Sequence, residues 1–237
     1  GDDGALVWSK PEVYGSGNHA IGDVTGDGEP DLVVGAPNHH GGGSYRGAVF
    51  VYRGIAGELF ETTPGMSRSS PNNYDRLGRQ VGVCDVNEDG HADLIATASQ
   101  SKSGTQYQNQ GSIQVFFGSA NGLSTTPDQE MFGVAHTSDD SPLAPTKNTQ
   151  LGTLLDVGDY NGDGVCDVVV VGRPYGQYWV YLYPGISGQG LAETPIRHWG
   201  PFPSIGQDIM LRDLDLDGLD DLMVSSQNTN FNGLKYN

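Results

Sequence analysis

Cysteine is nearly absent: Cys84 and Cys166 are the only two among 237 residues. Two cysteines do not make a disulfide framework, so two buried thiols are the default reading. Basic residues are also scarce. Twelve Lys and Arg stand scattered against 29 Asp and Glu, for a formal net charge of −17. Nucleic acid is excluded as a partner, because phosphate binding needs basic patches. No apolar run approaches the roughly 18 residues of a membrane span. The chain also shows no Ser-His-Asp arrangement, phosphate-cradling loop or zinc spacing. What abounds is Gly, at 36, with 13 Pro, so turns are frequent and long helices are not expected.

The acidic residues are ordered. One pattern occurs four times: Asp23, Thr25, Asp27, Gly28, Asp31; Asp85, Asn87, Asp89, Gly90, Asp93; Asp159, Asn161, Asp163, Gly164, Asp167; and Asp213, Asp215, Asp217, Gly218, Asp221. Oxygen-bearing side chains at positions 1, 3, 5 and 9 surround a Gly at position 6. Gly lets the chain turn sharply enough for the position-7 carbonyl to point inward. That carbonyl belongs to Glu29, His91, Val165 and Leu219 in the four copies. Such an oxygen cage suits a hard cation, above all Ca2+. The cages hold 13 carboxylates, and four Ca2+ ions would bring the net charge to about −9. Carboxylates, one carbonyl and a water would close each cage, leaving no open position for Lewis-acid catalysis.

An EF-hand begins alike but ends with a bidentate Glu at position 12 and is flanked by helices. Here position 12 is Val34, Ala96, Val170 and Val224. The runs 32–34, 94–95, 168–171 and 222–224 are β-branched or apolar and read as buried strands. The EF-hand is rejected.

The loops are spaced 62, 74 and 54 residues apart, so a unit of about 60 residues recurs. Each unit reads as four strands, which favours a β-propeller. Strand a is expected at 80–84, 153–157 and 208–212. Strand b is the apolar run after each loop. Strand c is expected at 48–52, 112–117 and 178–183, and strand d at 58–60, 130–132 and 196–199. A Gly stands seven residues before the first Asp in three units: Leu77-Gly78, Leu151-Gly152 and Ile205-Gly206. Cys84 and Cys166 could meet across neighbouring repeats.

This pattern resembles FG-GAP repeats, the blades of the integrin alpha-chain propeller and of related bacterial and fungal propellers, over nearly the whole chain. The three pairs just named stand in the Phe-Gly place, and Gly35-Ala36-Pro37 matches the Gly-Ala-Pro place. The first unit departs, with Tyr14-Gly15 one residue out of register. Thr97-Ala98-Ser99, Gly172-Arg173-Pro174 and Ser225-Ser226-Gln227 depart at the Gly-Ala-Pro place. The resemblance implies Ca2+ in each a–b hairpin, holding the blade rigid. It also implies that lyase or dehydratase activity occurs on some calcium propellers.

The expected fold class is all-β, a propeller of four-stranded antiparallel blades in one domain over 1–237. Residues 5–8 read as a d strand and 233–236 as a c strand. Four blades closed by pairing of the terminal strands would remove an exposed edge. A slice of a larger ring is the alternative, and it would leave blade faces open.

In such a blade the a–b and c–d turns share one face of the disc, and the b–c and d–a loops share the other. The non-repeating segments 38–46, 63–76, 100–110 and 135–150 fall opposite the calcium loops, where binding residues on a rigid scaffold are expected. Candidates are His39, His40, Tyr45, Arg46, Tyr74, Arg76, Tyr107, His136, Asp139, Asp140, Lys147, Arg173 and Tyr175. Each is weighed against being a solvated loop residue. Trp8 and Trp199 share a phase of the repeat, and Trp179 lies in a c strand; all three are assigned to packing. The functional expectation is a calcium-stabilised recognition module, extracellular, periplasmic or at the cell surface, for a glycan or protein ligand. The alternatives are a structural or adhesive part of a larger surface assembly, or a propeller lyase-type enzyme.

Overall fold

The computed structural model of the protein describes residues 18–102, 109–135, 144–145, 148–206 and 208–225. Among these residues the architecture is all-β, with one single-turn 3-10 helix at Pro174–Gly176. The first four-stranded antiparallel sheet holds β1 (His19–Gly22), β2 (Asp31–Ala36), β3 (Ala48–Tyr52) and β4 (Met66–Ser69). The second holds β5 (Leu77–Cys84), β6 (Asp93–Ala98), β7 (Ser112–Phe116) and β8 (Gln129–Phe132). A short pair follows, β9 (Val134–Ala135) and β10 (Ala144–Pro145). The third large sheet opens with β11 (Leu155–Gly158), β12 (Asp167–Gly172) and β13 (Tyr178–Tyr183). A hairpin of β14 (Gly185–Ile186) and β15 (Gly190–Leu191) precedes its outer strand, β16 (Arg197–Phe202). Finally β17 (Ile209–Arg212) pairs with β18 (Asp221–Val224).

In each large sheet spatial order follows chain order, as in a propeller blade. Every residue of β6 and β12 is buried, which explains the apolar or small residues that follow the leading Asp in each. The first strands pack in succession, β1 on β5, β5 on β11 and β11 on β17. Close approach at these joints depends on small residues. A Cβ on Gly82 would lie 2.8 Å from Val157 Cγ1.

At both joints between the large sheets, the turn before the third strand of one sheet meets the entry to the next. Gly47 bridges Leu77 and Gly111 bridges Leu151, both in parallel sense. Three apolar clusters fill the sheets and the joints between them. The first and last sheets are more open: Ile21 on β1 is 59% exposed and Met223 on β18 is 47% exposed.

Two expectations are corrected. The outer strand of the first unit is Met66–Ser69, not 58–60. Phe60 instead meets Gly54 in an isolated bridge, and the Glu58 N–H donates to the Ile55 carbonyl within that tight turn. An outer strand needs no apolar run, since alternate residues face solvent, and 66–69 reads Met-Ser-Arg-Ser. The cysteines are not thiols: Cys84 and Cys166 form a disulfide with Cα atoms 6.1 Å apart. The packing of β5 on β11 brings the two units together, and the Cys166 N–H donates to the Asp85 carbonyl at 3.2 Å.

Trp199 does pack, edge to face on Tyr160 with centroids 5.9 Å apart, and Trp179 lies against the second–third sheet cluster. The expected strands at 5–8 and 233–236, and the pair Tyr14-Gly15, lie outside the described residues.

Candidate functional site: four acidic turns and the opposite face

The four acidic turns share one register. Position 9 is the first residue of the second strand and faces the last residue of the first: Gly22 with Asp31, Cys84 with Asp93, Gly158 with Asp167, Arg212 with Asp221. Each turn is thus a closed loop at the end of an antiparallel pair. Gly28, Gly90, Gly164 and Gly218 have φ of 92°, 87°, 84° and 92°, the left-handed region that position 6 needs.

The internal hydrogen bonds repeat as well. Asp23 accepts the N–H groups of Gly26, Asp27 and Gly28, at 2.7 to 3.1 Å. Asp159 does the same with Gly162, Asp163 and Gly164. Asp85 accepts from Asn87, Asp89 and Gly90, and Asp213 from Asp217 and Gly218. The position-5 carboxylates of Asp27, Asp89, Asp163 and Asp217 accept the N–H of Glu29, His91, Val165 and Leu219, each at 2.9 Å. That bond fixes the position-7 residue in all four turns.

At position 9 one carboxylate oxygen turns inward and the other outward. Asp31, Asp93, Asp167 and Asp221 accept from Val24, Val86, Tyr160 and Leu214 inside their own turns. The second oxygens of Asp31, Asp93 and Asp167 accept the N–H of Gly54, Gly118 and Gly185, two residues beyond β3, β7 and β13. Sequence reasoning missed these three glycines, although their fixed place after each third strand was visible. Only glycine fits there. A Cβ would come within 2.2 to 2.4 Å of the position-8 carbonyl oxygen of Pro30, Ala92 or Cys166.

The donor set fits a hard divalent cation. In the last turn, ligand oxygens of Asp213, Asp215 and Asp221 lie within 4.8 Å of one another. In the first, the position-3 hydroxyl of Thr25 is buried and has no hydrogen-bond partner. A cation taking six to eight oxygens would engage such an atom. The electrostatics agree. Burial raises the Asp93 carboxyl from 3.8 to about 6, and Asp89 and Asp85 push it the same way. Asp167 is likewise raised to about 6 by burial, with Asp163 and Asp159 adding to it. Neighbouring turns are also joined, since the Asp159 N–H donates to Asp220 Oδ2 at 2.8 Å.

Part of the ligand-face set is brought together. Tyr45 stacks on Tyr74 with centroids 6.1 Å apart and an interplanar angle of 30°. The His40 ring is 5.2 Å from Tyr45, and the Arg76 guanidinium carbon is 5.5 Å from the Tyr45 centroid. Arg46 is tied down beside them, donating to Asn73 Oδ1 and the Gly41 carbonyl. His39 is turned inward, edge-on to Phe50 at 5.3 Å. Arg173 and Tyr175 belong to the third sheet's own loop, where Arg173 covers the Tyr178 ring at 4.9 Å. Tyr107, His136, Asp139, Asp140 and Lys147 lie outside the described residues.

Tyr45, Tyr74 and Arg76 have φ of 47°, 68° and 58°, uncommon for bulky residues. They form a backbone clasp between the first and second sheets. Arg76 N–H donates to the Tyr45 carbonyl and Leu77 N–H to the Arg46 carbonyl. The joint between the second and third sheets repeats the clasp. Gln150 N–H donates to the Asn109 carbonyl and Leu151 N–H to the Gln110 carbonyl, with Asn109, Asn148 and Gln150 at φ 51°, 62° and 47°. There the side chains are amides, and Asn109 Nδ2 donates to Asn148 Oδ1 at 3.2 Å.

Repeated acidic turns on antiparallel blades define the class, and family models agree with it. The FG-GAP repeat model matches residues 20–52 and 77–116, and an FG-GAP-like repeat model matches 159–224. The chain belongs to the FG-GAP repeat family. It is 30% identical to mouse (Mus musculus) integrin alpha-IIb over 170 residues, which is 69% of this chain and 15% of that protein. It is 32% identical to Drosophila melanogaster integrin alpha-PS5 over 167 residues, 68% of this chain and 15% of that one. It is also 30% identical over 178 residues to the phosphatidylinositol-glycan-specific phospholipase D of Rattus norvegicus, 70% of this chain and 20% of that one. The chain therefore spans 15% to 20% of the length of these relatives. Among solved structures, the Bacillus licheniformis rhamnogalacturonan lyase PL11 is similar with a TM-score of 0.54 and 14% identity, over 92% of this chain and 43% of that one. That likeness concerns the fold alone. No helix among the described residues is long and apolar enough to cross a membrane.

Proposed function

We propose that this chain is a calcium-stabilised, extracellular recognition module that binds a glycan or protein ligand with the face opposite its acidic turns. Up to four Ca2+ ions hold the turns, using the side chains at positions 1, 3, 5 and 9 and the position-7 carbonyl. The ions neutralise carboxylates that otherwise repel one another. The unit is one propeller domain over 1–237, acting alone or within a larger surface assembly, and it is not an enzyme. The Cys84–Cys166 disulfide supports an oxidising location.

The observation that carries the binding role is the Tyr45–Tyr74–Arg76 cluster. Amide side chains serve the equivalent clasp at the next joint, so the fold does not require aromatics at these positions. Bulky side chains in left-handed conformations cost on the order of 1 kcal/mol or more each. Here they present Tyr45 and Tyr74 at 41% and 56% exposure, beside His40 and Arg76. Rigid aromatic and Arg side chains are the usual anchors of recognition.

The test is the double variant Tyr45→Asn/Tyr74→Asn, which copies the second joint. It should fold with unchanged calcium response and lose at least ten-fold in affinity for a ligand found on a glycan or protein array. Retained affinity would move the binding surface elsewhere.

A further inference from the structure

The geometry points to a second binding site, a cleft between the first two sheets centred on Arg68, that takes a saccharide unit bearing a carboxylate. On the outer strands, Val49 faces Arg68, Ile113 faces Met131, and Val180 faces Trp199. These three outer residues are therefore equivalent. Met131 is buried in the cluster that seals the second joint, and Trp199 packs on the third sheet. The first sheet instead has a guanidinium where the fold elsewhere places an apolar plug.

That guanidinium is poorly satisfied. Arg68 Nη1 donates to the Ser67 carbonyl at 2.9 Å and Nη2 to the Ser124 carbonyl at 3.5 Å. Its Nε is buried without a hydrogen-bond partner, and among the described residues Arg68 makes no ion pair. Nη1 and Nη2 each keep a second N–H beyond the bond named, and a half-buried guanidinium without a counter-charge gains when an anion takes those donors.

A space for that anion exists. At the first joint β1, β2 and β3 all pack against β5. Between β4 and the β7–β8 pair lies a cleft of about 380 Å³, within the range of small-molecule sites. A smaller one of about 170 Å³ is lined by Arg68 together with Arg53. Arg68 borders both.

The lining of the larger cleft selects among anions. Lys102 adds a second cation, while Asp75 and Glu130 bring carboxylates. Those carboxylates are held by neutral donors, Asp75 by Ser70 and Asn72, Glu130 by Ser112 and Gln114. They would repel a phosphate-dense or sulfate-dense polyanion, yet they can accept hydrogen bonds from sugar hydroxyls. Phe132 supplies an apolar wall for a ring face. One carboxylate among many hydroxyls, on a ring with an apolar face, describes a uronic acid. This site is separate from the tyrosine cluster and does not depend on it.

Calorimetry with a galacturonic acid trisaccharide tests the proposal, with a neutral galactose trisaccharide and hexaglutamate as controls. The wild-type chain with calcium should bind the acidic sugar and neither control measurably. Arg68→Met, which copies Met131, should weaken binding at least ten-fold while melting no lower than wild type without sugar. Arg68→Gln should also lose the binding, should the Met variant fail to fold. Tyr45→Asn/Tyr74→Asn should bind the trisaccharide as wild type does. No binding by wild type, equal binding of the neutral sugar or hexaglutamate, or unchanged binding by both Arg68 variants would overturn the site.

Discussion

Cys84 and Cys166, 82 residues apart in sequence, are bonded between two acidic turns. Cys84 directly precedes Asp85, the first position of the second turn, and Cys166 directly precedes Asp167, the ninth position of the third. The Gly188 N–H also donates to the Asn87 carbonyl, so the β14–β15 hairpin reaches into the second turn. The bond thus constrains two proposed metal cages together. Reduction, or the pair Cys84→Ser/Cys166→Ser, should lower stability by about 2–4 kcal/mol. It should also weaken calcium binding at two of the cages. Denaturant melts and calcium titrations of both forms check this; equal calcium affinities would show that the bond does not tune the turns.

Calcium itself should matter more than any one contact. At free Ca2+ a hundred times its Kd, each filled turn adds about 2.7 kcal/mol to stability. Chelation should therefore lower Tm substantially, and Asp213→Asn should remove one ion from the calorimetric stoichiometry. An unchanged melt in EDTA would rule out a structural metal.

The buried carboxyls give a pH signature with a definite sign. Asp93 and Asp167 have folded-state pKa values near 6, above their ordinary 3.8. A carboxyl raised in this way favours folding most below its unfolded value, and that contribution is lost as pH rises through the folded one. The calcium-free protein should accordingly lose Tm from about pH 4 to about pH 7. Calcium competes with those protons, so the loaded protein should not show the decline. Melts at several pH values, with calcium and with chelator, separate the two curves.

Gly118→Ala should be costly although the glycine is neither catalytic nor at a turn apex. The new Cβ would lie 2.2 Å from the Ala92 carbonyl oxygen, and the N–H bond to Asp93 would be displaced. A loss of about 1–3 kcal/mol is expected, together with weaker calcium binding at the second turn. Substituting Gly90, where a Cβ would meet nothing within 4 Å but φ is 87°, isolates backbone strain from collision.

Sequence by itself determined the acidic turns, the strands that flank them and the family, because each is written in local spacing. Position 6 needs a left-handed residue, position 9 must start a strand, and both requirements act within nine residues. The outer strand 66–69 was illegible, because a strand facing solvent carries no apolar signature. Tertiary structure alone decided which side chains meet across the joints between sheets. Tyr45 finds Tyr74, Cys84 finds Cys166, and Arg68 takes the place that Met131 fills one blade later. Those pairings follow from how neighbouring sheets are stacked and registered, and no local pattern encodes a distance between blades.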